Sequence, residues 1–341
     1  MSTYHAYQVT GQRQFEFIER ELVSPARGQV RLCVHSCGVC HTDAVSVEGM
    51  RPDSGEPVVP GHEIVGVIDV IGDEVTGWTV GERVGVGFLG GPCGVCVWCR
   101  QGDFVHCEDQ PKTGMTTDGG YAEVVYARAS GLVRIPDGYS SVEAAPLLCA
   151  GVTTFNPLRL LDAGPDALVA IQGIGGLGHL GIQYASKLGY RVAAIARGAE
   201  KDHLATKLGA DYYIDSTTVD PAQALQELGG AAAIIATAAS GASMSSLVNG
   251  LRPRGRLIVL GAAADPIQVN TLDLIFGERS IVGSLTGTTI DNEANLQFST
   301  THDVAAMIEV LAFRDTPTAY ERMMSGHARF RVVIDMQVSP G

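Results

Sequence analysis

Four of the chain's eight cysteines lie in one stretch, PCGVCVWCRQGDFVHC, as Cys93, Cys96, Cys99 and Cys107. The spacing is C-x2-C-x2-C-x7-C. Thiols crowded this closely serve as disulfides, as a redox pair or as ligands of one ion. The first residues, MSTYHAYQVTGQRQFEF, contain no basic stretch followed by an apolar one, so no secretion signal is read there and a cytoplasmic location is expected. Thiols in that compartment stay reduced, which argues against disulfides. Four thiolates on a short loop can close a tetrahedral shell around zinc at Zn–S distances of about 2.3 Å. With no open position, such a site is structural. An iron–sulfur cluster also takes four cysteines, but zinc leads because no second run of ferredoxin type is present. Four unliganded cysteines in an exposed loop fit the polar, Gly-containing surroundings poorly.

A second group, SCGVCHTD (residues 36–43), is ambiguous alone. Cys37 and Cys40 with His41 match a haem-attachment C-x-x-C-H, the same cysteines match a redox pair, and Cys40 alone could ligate a metal. VPGHEIVG adds His62 and Glu63, and APLLCAGVTT adds Cys149. Cys40, His62 and Cys149 together make a three-ligand zinc site with one position open for substrate. Each taken singly reads as ordinary packing, as do Cys33 and Cys37.

ALVAIQGIGGLGHLGIQYA holds Gly173, Gly175 and Gly178, with Gly176 and Leu177 between them, in G-x-G-x-x-G spacing. The first glycine permits a tight turn, the second lets a pyrophosphate approach the backbone, and the third lets the helix pack on the strand. The helix N-terminus then faces the phosphates with unpaired N–H groups. The motif is weak by itself and strong directly after a strand.

These groups need elements to carry them. Residues up to about 150 carry short β-rich runs broken by Gly and Pro (QVRLCV, EIVGVIDVIG, RVGVGF, YAEVVYARASGLVRI), which predicts a barrel or sandwich. Beyond Cys149 the pattern changes. DALVAIQGI, RVAAIA, DYYID, AAAIIATA, GRLIVLG and SIVGSLTG read as strands. GGLGHLGIQYASKLG, EKDHLATKLG, PAQALQELG, SMSSLVNGL and TLDLIFGE between them read as helices. Continuous apolar strands alternating with helices predict a doubly wound parallel sheet. The last ~50 residues hold two helical stretches and the strand FRVVIDM.

The 341 residues suffice for about two domains of ~150 residues. A net charge of −13 opposes phosphate backbones, so no nucleic-acid partner is expected. No run of about 18 apolar residues is present, so no membrane span is expected.

The pieces GVCHTD, PGHE, CGVCVWCRQGDFVHC, DGGYAE, CAGVTT, GIGGLGH and RVVID span the chain, which resembles the zinc-dependent alcohol dehydrogenases of the medium-chain dehydrogenase/reductase superfamily. Cys2His is the donor set known for their catalytic zinc. The resemblance implies a GroES-like β domain over residues 1–151 and 287–341 with both zincs, and an inserted Rossmann domain over 152–286 for NAD(P). Cys40, His62 and Cys149 would hold the catalytic zinc, and Cys93, Cys96, Cys99 and Cys107 a structural one. Asp43 would orient His62, Glu63 would be an acidic neighbour able to approach the metal, and Thr42 would accept the proton of the reacting alcohol. His41 and Arg331 would contact the cofactor pyrophosphate, and Phe88 would be an aromatic of the substrate pocket.

Three departures stand out. Val45 replaces a histidine that often ends the family's proton relay. No second pocket aromatic occurs near Met50 and Arg51, which suggests a wider pocket. The carboxylate that would bind the ribose 2′-hydroxyl of NAD is replaced by Ala196, and Arg197 and Lys201 follow, so NADP(H) is favoured. The expected substrate is a small alcohol, aldehyde or ketone. An aryl, cinnamyl or polyol dehydrogenase of the same superfamily is the nearest rival, and a non-catalytic zinc-binding module is the other class. A homodimer or homotetramer is expected.

Overall fold

The hydrophobic period changes along the chain, and the architecture changes with it. The computed structural model describes residues 2–51 and 56–338. The chain divides into two compact units, Met1–Cys149 with Gly287–Gly341, and Ala150–Thr286.

In the first unit β1 (Thr3–Gly11) pairs antiparallel with β2 (Gln14–Glu21). The long β3 (Gln29–Val39) pairs antiparallel with β4 (Glu63–Ile71), which continues to β5 (Arg83–Val86). The strands β6 (Val124–Arg128) and β7 (Leu132–Arg134) pair with β3 and β5. Alternation in β3 buries Val30, Leu32 and Val34, as a half-buried strand requires. Cys37 is fully buried, but Cys33 falls on the outward face and is exposed. The expectation that Cys33 packs is therefore corrected by the pleat.

The second unit holds β8 (Leu168–Gln172), β9 (Arg191–Ala196), β10 (Tyr212–Asp215), β11 (Ala231–Ala236), β12 (Leu251–Val259) and β13 (Ser280–Gly283). All pair in parallel in the order β10-β9-β8-β11-β12-β13. Val169, Ala170, Ile171, Ile234 and Ile235 are completely buried, which explains why these strands read as unbroken apolar runs. The strand order reverses between β8 and β11, the point where ligands bind in such sheets. Helix Gly178–Lys187 follows β8 directly.

One expected helix is shorter. Over SMSSLVNGL the helix stops at Ser245 and a separate 3-10 turn covers Val248–Gly250. Ser245 and Ser246 donate back to the carbonyls of Gly241 and Ser243 at 2.7 and 3.0 Å, bonding that competes with helix continuation.

The chain then returns to the first unit with helix Thr289–His302, β14 (Ile308–Ala312), helix Thr316–Met324 and β15 (Arg331–Asp335). The strand β14 was not among the expected elements. It is an edge strand without a fully buried residue, so it carries little apolar signal. β15 pairs antiparallel with β3, giving the order β14-β15-β3-β4-β5-β7. No described helix is long and apolar enough to cross a membrane.

Candidate active site

The register of three strands assembles the chemistry. Gly38 at the end of β3 lies opposite Glu63 at the start of β4, and Val39 opposite Val332 on β15. This brings the CHTD and PGHE segments and Arg331 together. Beyond Val39 the chain leaves the strand at Cys40 and turns into a 3-10 helix, His41–Asp43. The Asp43 carboxylate folds back to accept the Cys40 N–H at 2.9 Å, a capping bond that fixes the turn.

The same carboxylate has two further partners. His62 Nδ1 lies 2.9 Å from one oxygen, and the Tyr121 hydroxyl donates to the other at 2.8 Å. Asp43, His62 and Tyr121 are all buried. Asp43 therefore holds the imidazole by Nδ1, leaving Nε2, which is buried without a partner. A buried, unpaired ring nitrogen is costly, and here it aims at a donor set. Ligand atoms of Cys40, His62, Glu63 and Cys149 all lie within 4.8 Å of one another.

The two sulfurs, Cys40 and Cys149, stand 3.9 Å apart. A disulfide needs about 2.05 Å, whereas two thiolates at about 2.3 Å from one tetrahedral ion stand about 3.8 Å apart. The residues thus fit a zinc ion. The thiols also interact strongly: their mutual hydrogen bond holds Cys40 well below its ordinary pKa and pushes Cys149 well above. Cys37 is fully buried in the core of the first unit, its thiol donating to the Gly38 carbonyl at 3.5 Å.

Around this set, Thr42 Oγ1 lies 3.7 Å from Cys40 Sγ, and Phe88 meets the His62 ring edge-on with centroids 5.5 Å apart. Glu63 is ion-paired with Arg331, which also donates to the Val39 carbonyl at 3.1 Å. Burial pushes the Glu63 carboxyl up to about 7, against the pull of Arg331. A Cβ on Gly38 would come within 1.9 Å of Glu63 Oε2, so only glycine leaves room for this carboxylate. His41 is exposed.

In the cysteine-rich loop, the four sulfurs of Cys93, Cys96, Cys99 and Cys107 also converge within 4.8 Å. The short helix Val97–Arg100 sets Cys96 and Cys99. The Cys93 and Cys96 N–H groups donate to Cys107 and Cys93 sulfurs at 3.2 and 3.4 Å, and the backbone N–H groups of Cys99 and Glu108 hold the Cys96 thiol down to about 6. Such donors suit thiolate ligands. All eight cysteines are free of disulfides.

In the second unit the glycine loop follows β8 as the motif requires. A Cβ on Gly178 would come within 1.7 Å of the Gly173 carbonyl oxygen, whereas one on Gly175 meets nothing within 4 Å. Gly178 serves helix packing, and Gly175 leaves open space for a ligand. Ala196 ends β9 buried, and Arg197 is exposed. Arg197 has no hydrogen-bond or ion-pair partner among the described residues. Lys201 donates to the Ile174 carbonyl within the glycine loop at 2.8 Å.

Tyr121 and Asp215 had no assigned role in the sequence. Tyr121 sits in DGGYAE, but its bond to Asp43 spans 78 residues and has no local signal. Asp215 accepts the Gly198 N–H at 2.9 Å, placing a carboxylate beside the β9 turn from the neighbouring strand.

Residues 26–137 match the family model described as alcohol dehydrogenase GroES-like domain, and residues 176–301 that of zinc-binding dehydrogenase. An alcohol dehydrogenase of Penicillium expansum is 41% identical over 93% of each chain. Among solved structures, a cinnamyl alcohol dehydrogenase from Sorghum bicolor superposes with a TM-score of 0.88 at 31% identity over 99% of each chain. A Helicobacter pylori enzyme titled CAD, complexed with NADP(H), superposes with a TM-score of 0.84 at 26% identity over 99% of each chain.

Proposed function

From the premise that this chain belongs to the zinc-type alcohol dehydrogenases of the medium-chain dehydrogenase/reductase superfamily, we propose that Cys40, His62 and Cys149 hold its catalytic zinc and that Cys93, Cys96, Cys99 and Cys107 hold a second, structural one. The observation that carries the first assignment is the buried His62 Nε2, fixed through Nδ1 by Asp43 and aimed at two thiols. The enzyme interconverts alcohols and carbonyl compounds with a nicotinamide cofactor.

Zinc bound there would supply a Lewis acid for the alcohol or carbonyl oxygen, and a nicotinamide cofactor would supply the hydride acceptor or donor. The chain's own residues do the rest. Thr42 Oγ1, beside the Cys40 sulfur, accepts the hydrogen bond of the reacting hydroxyl as its proton leaves. Val45 has no ring nitrogen to pass that proton on, so the relay would end at the cofactor ribose or a water, or use another group. Asp43 and Tyr121 keep His62 in one orientation, and Phe88 shields the ligand set. Residues 1–151 with 287–341 form the catalytic part in this reading, and 152–286 the cofactor part, where Gly173, Gly175, Gly176, Leu177 and Gly178 cradle the pyrophosphate. His41 and Arg331 are assigned to the same cofactor, Arg331 as a guanidinium held by Glu63 and the Val39 carbonyl. The cofactor is NADP(H), held through Arg197.

The chain is also read as a cytoplasmic homo-oligomer. β13 is the edge strand of its sheet among the described residues, and Leu272, Ile275 and Phe276 on the helix that precedes it in the chain are 53%, 66% and 85% exposed. Exposed apolar edges of this kind are ordinarily covered.

Thr42→Ala is expected to lower kcat by about 10²–10⁴ across a panel of aliphatic, cinnamyl and polyol substrates, with Val45→His changing it far less. Wild-type turnover by Thr42→Ala, or no turnover of any alcohol or aldehyde by the wild type, would refute the reading. Tyr121→Phe keeps the buried ring and removes only the hydroxyl, leaving Asp43 less firmly held. Zinc affinity at the His62 site is expected to fall about 10–100-fold, measured by chelator competition. Unchanged affinity would make Tyr121 a packing residue.

A further inference from the structure

None of the three proposed metal ligands lies inside a helix or strand; Cys40 and His62 sit at the paired ends of β3 and β4, whereas Cys149 stands at a junction of helical segments. It sits between a 3-10 turn, Ala145–Leu148, and helix Ala150–Arg159, with φ −125 and ψ −73, a conformation of neither. Something else must hold its backbone. Two buried asparagines on helix Thr289–His302 reach this point. Asn295 Nδ2 donates to the Leu147 carbonyl at 3.0 Å, and Asn292 Nδ2 to the Leu148 carbonyl at 3.3 Å. They lie three residues apart on one helix face, so one rigid helix grips both of the carbonyls just ahead of the ligand.

We propose that Asn292 and Asn295 are positioning residues for the catalytic zinc site, clamping the backbone before Cys149 so that its thiolate stands at ligating distance from Cys40. The proposal rests on the reading of Cys149 as a zinc ligand.

Packing agrees with this role. Asn295 is completely buried and Asn292 is 4% exposed. Buried amides are costly where apolar side chains of similar size would pack freely, and Asn292 Oδ1 is buried without a partner. The two carbonyls account for that cost. They only accept, so each amide must present its NH2 group. The Ser299 hydroxyl, 3.5 Å from Asn295 Oδ1, favours the same orientation. The clamp has no slack: a Cβ on Gly87 would stand 3.1 Å from the Leu148 oxygen and 3.3 Å from Asn292 Nδ2. The helix is anchored at its start by a capping box between Thr288 and Asp291.

The test follows zinc leaving the loaded enzyme. Release to a chromophoric chelator is measured for wild type, Asn292→Leu, Asn295→Leu, the double variant and Leu296→Ala. Leu296 is buried on the same helix and touches the fold without gripping the turn. The expected result is that the asparagine variants release one of two zinc ions about 10–100-fold faster, with the other unchanged. Cobalt placed in the catalytic site should show an altered thiolate charge-transfer band. Release no faster than from Leu296→Ala at an equal loss of Tm, or equal acceleration of both ions, overturns the clamp. Wild-type protein that holds a single zinc overturns it too, by removing Cys149 from the ligand set. If the double variant does not fold, Asn292→Leu carries the test, because the bond it removes is the longer one.

Discussion

Cys149→Ser is expected to leave one zinc per chain and to lower kcat by about 10³, whereas Cys99→Ser is expected to lower Tm by several degrees while the folded fraction keeps most of its turnover. The two cysteines have the same chemistry and differ only in the site they complete. Glu63 lies beside Cys40, His62 and Cys149 but is tied to Arg331, so in this reading three ligands hold the metal and a fourth position is left for substrate. Lewis-acid stabilisation there is worth several kcal/mol, and each 1.36 kcal/mol is a factor of ten in rate. In the proposed structural site Cys99 is one of four converging cysteines, a set that would leave no room for substrate. A zinc held there would contribute by keeping the loop folded. Metal analysis, kcat and thermal unfolding of both variants check the division. Equal effects of the two substitutions on turnover and on Tm would contradict it.

The second large effect concerns the cofactor. Wild-type enzyme is expected to prefer NADP(H), and Arg197→Ala to weaken NADP(H) roughly tenfold while sparing NAD(H). The β9 turn presents the buried methyl of Ala196 and then the exposed Arg197, unpartnered among the described residues. The Ala196 methyl that ends β9 cannot accept the ribose hydroxyls that NAD offers. A charge-assisted bond to the 2′-phosphate contributes about 1.5–3 kcal/mol, and solvent around exposed Arg197 places it at the lower end. Lys201 is tied to the glycine loop through Ile174, so the larger share falls to Arg197. Asp215, bonded to the Gly198 N–H, holds the turn in shape. Ala196→Asp is expected to shift preference toward NAD(H) by placing a carboxylate against the phosphate. Binding constants for both cofactors with the three proteins decide the matter. An NADPH/NADH ratio at or below one in the wild type, unchanged by Arg197→Ala, would remove the phosphate site.

Much of this is legible in residue types and spacings alone. Cysteine spacing is a local property, since ligands two or three residues apart must share a loop. The continuous apolar runs from β8 to β13 announce a parallel sheet because strands buried on both faces need no polar alternation. The glycines at 173, 175 and 178 have the spacing of a phosphate turn, and Gly178 is kept by its approach to the Gly173 carbonyl. Even the grouping of Cys40, His62 and Cys149 as a proposed ligand set follows from residue types once the three are considered together.

What local patterns could not carry was decided by strand register and long-range hydrogen bonds. Cys33 and Cys37 differ by an even number of residues, yet one is exposed and the other is core. The pairing of β3 with β4 shifts register between Val34 and Ser36, so simple alternation fails there. Tyr121 reaches Asp43 across 78 residues, and Asn295 reaches Leu147 across 148. Such bonds leave no periodic trace, because a single polar residue in a buried stretch looks the same whether it satisfies itself or holds a distant ligand. The residue types and spacings in the sequence by themselves determined which atoms could bind metal and cofactor. Only the tertiary structure decided which side chains hold those atoms in place, because that depends on where separate segments of the chain meet.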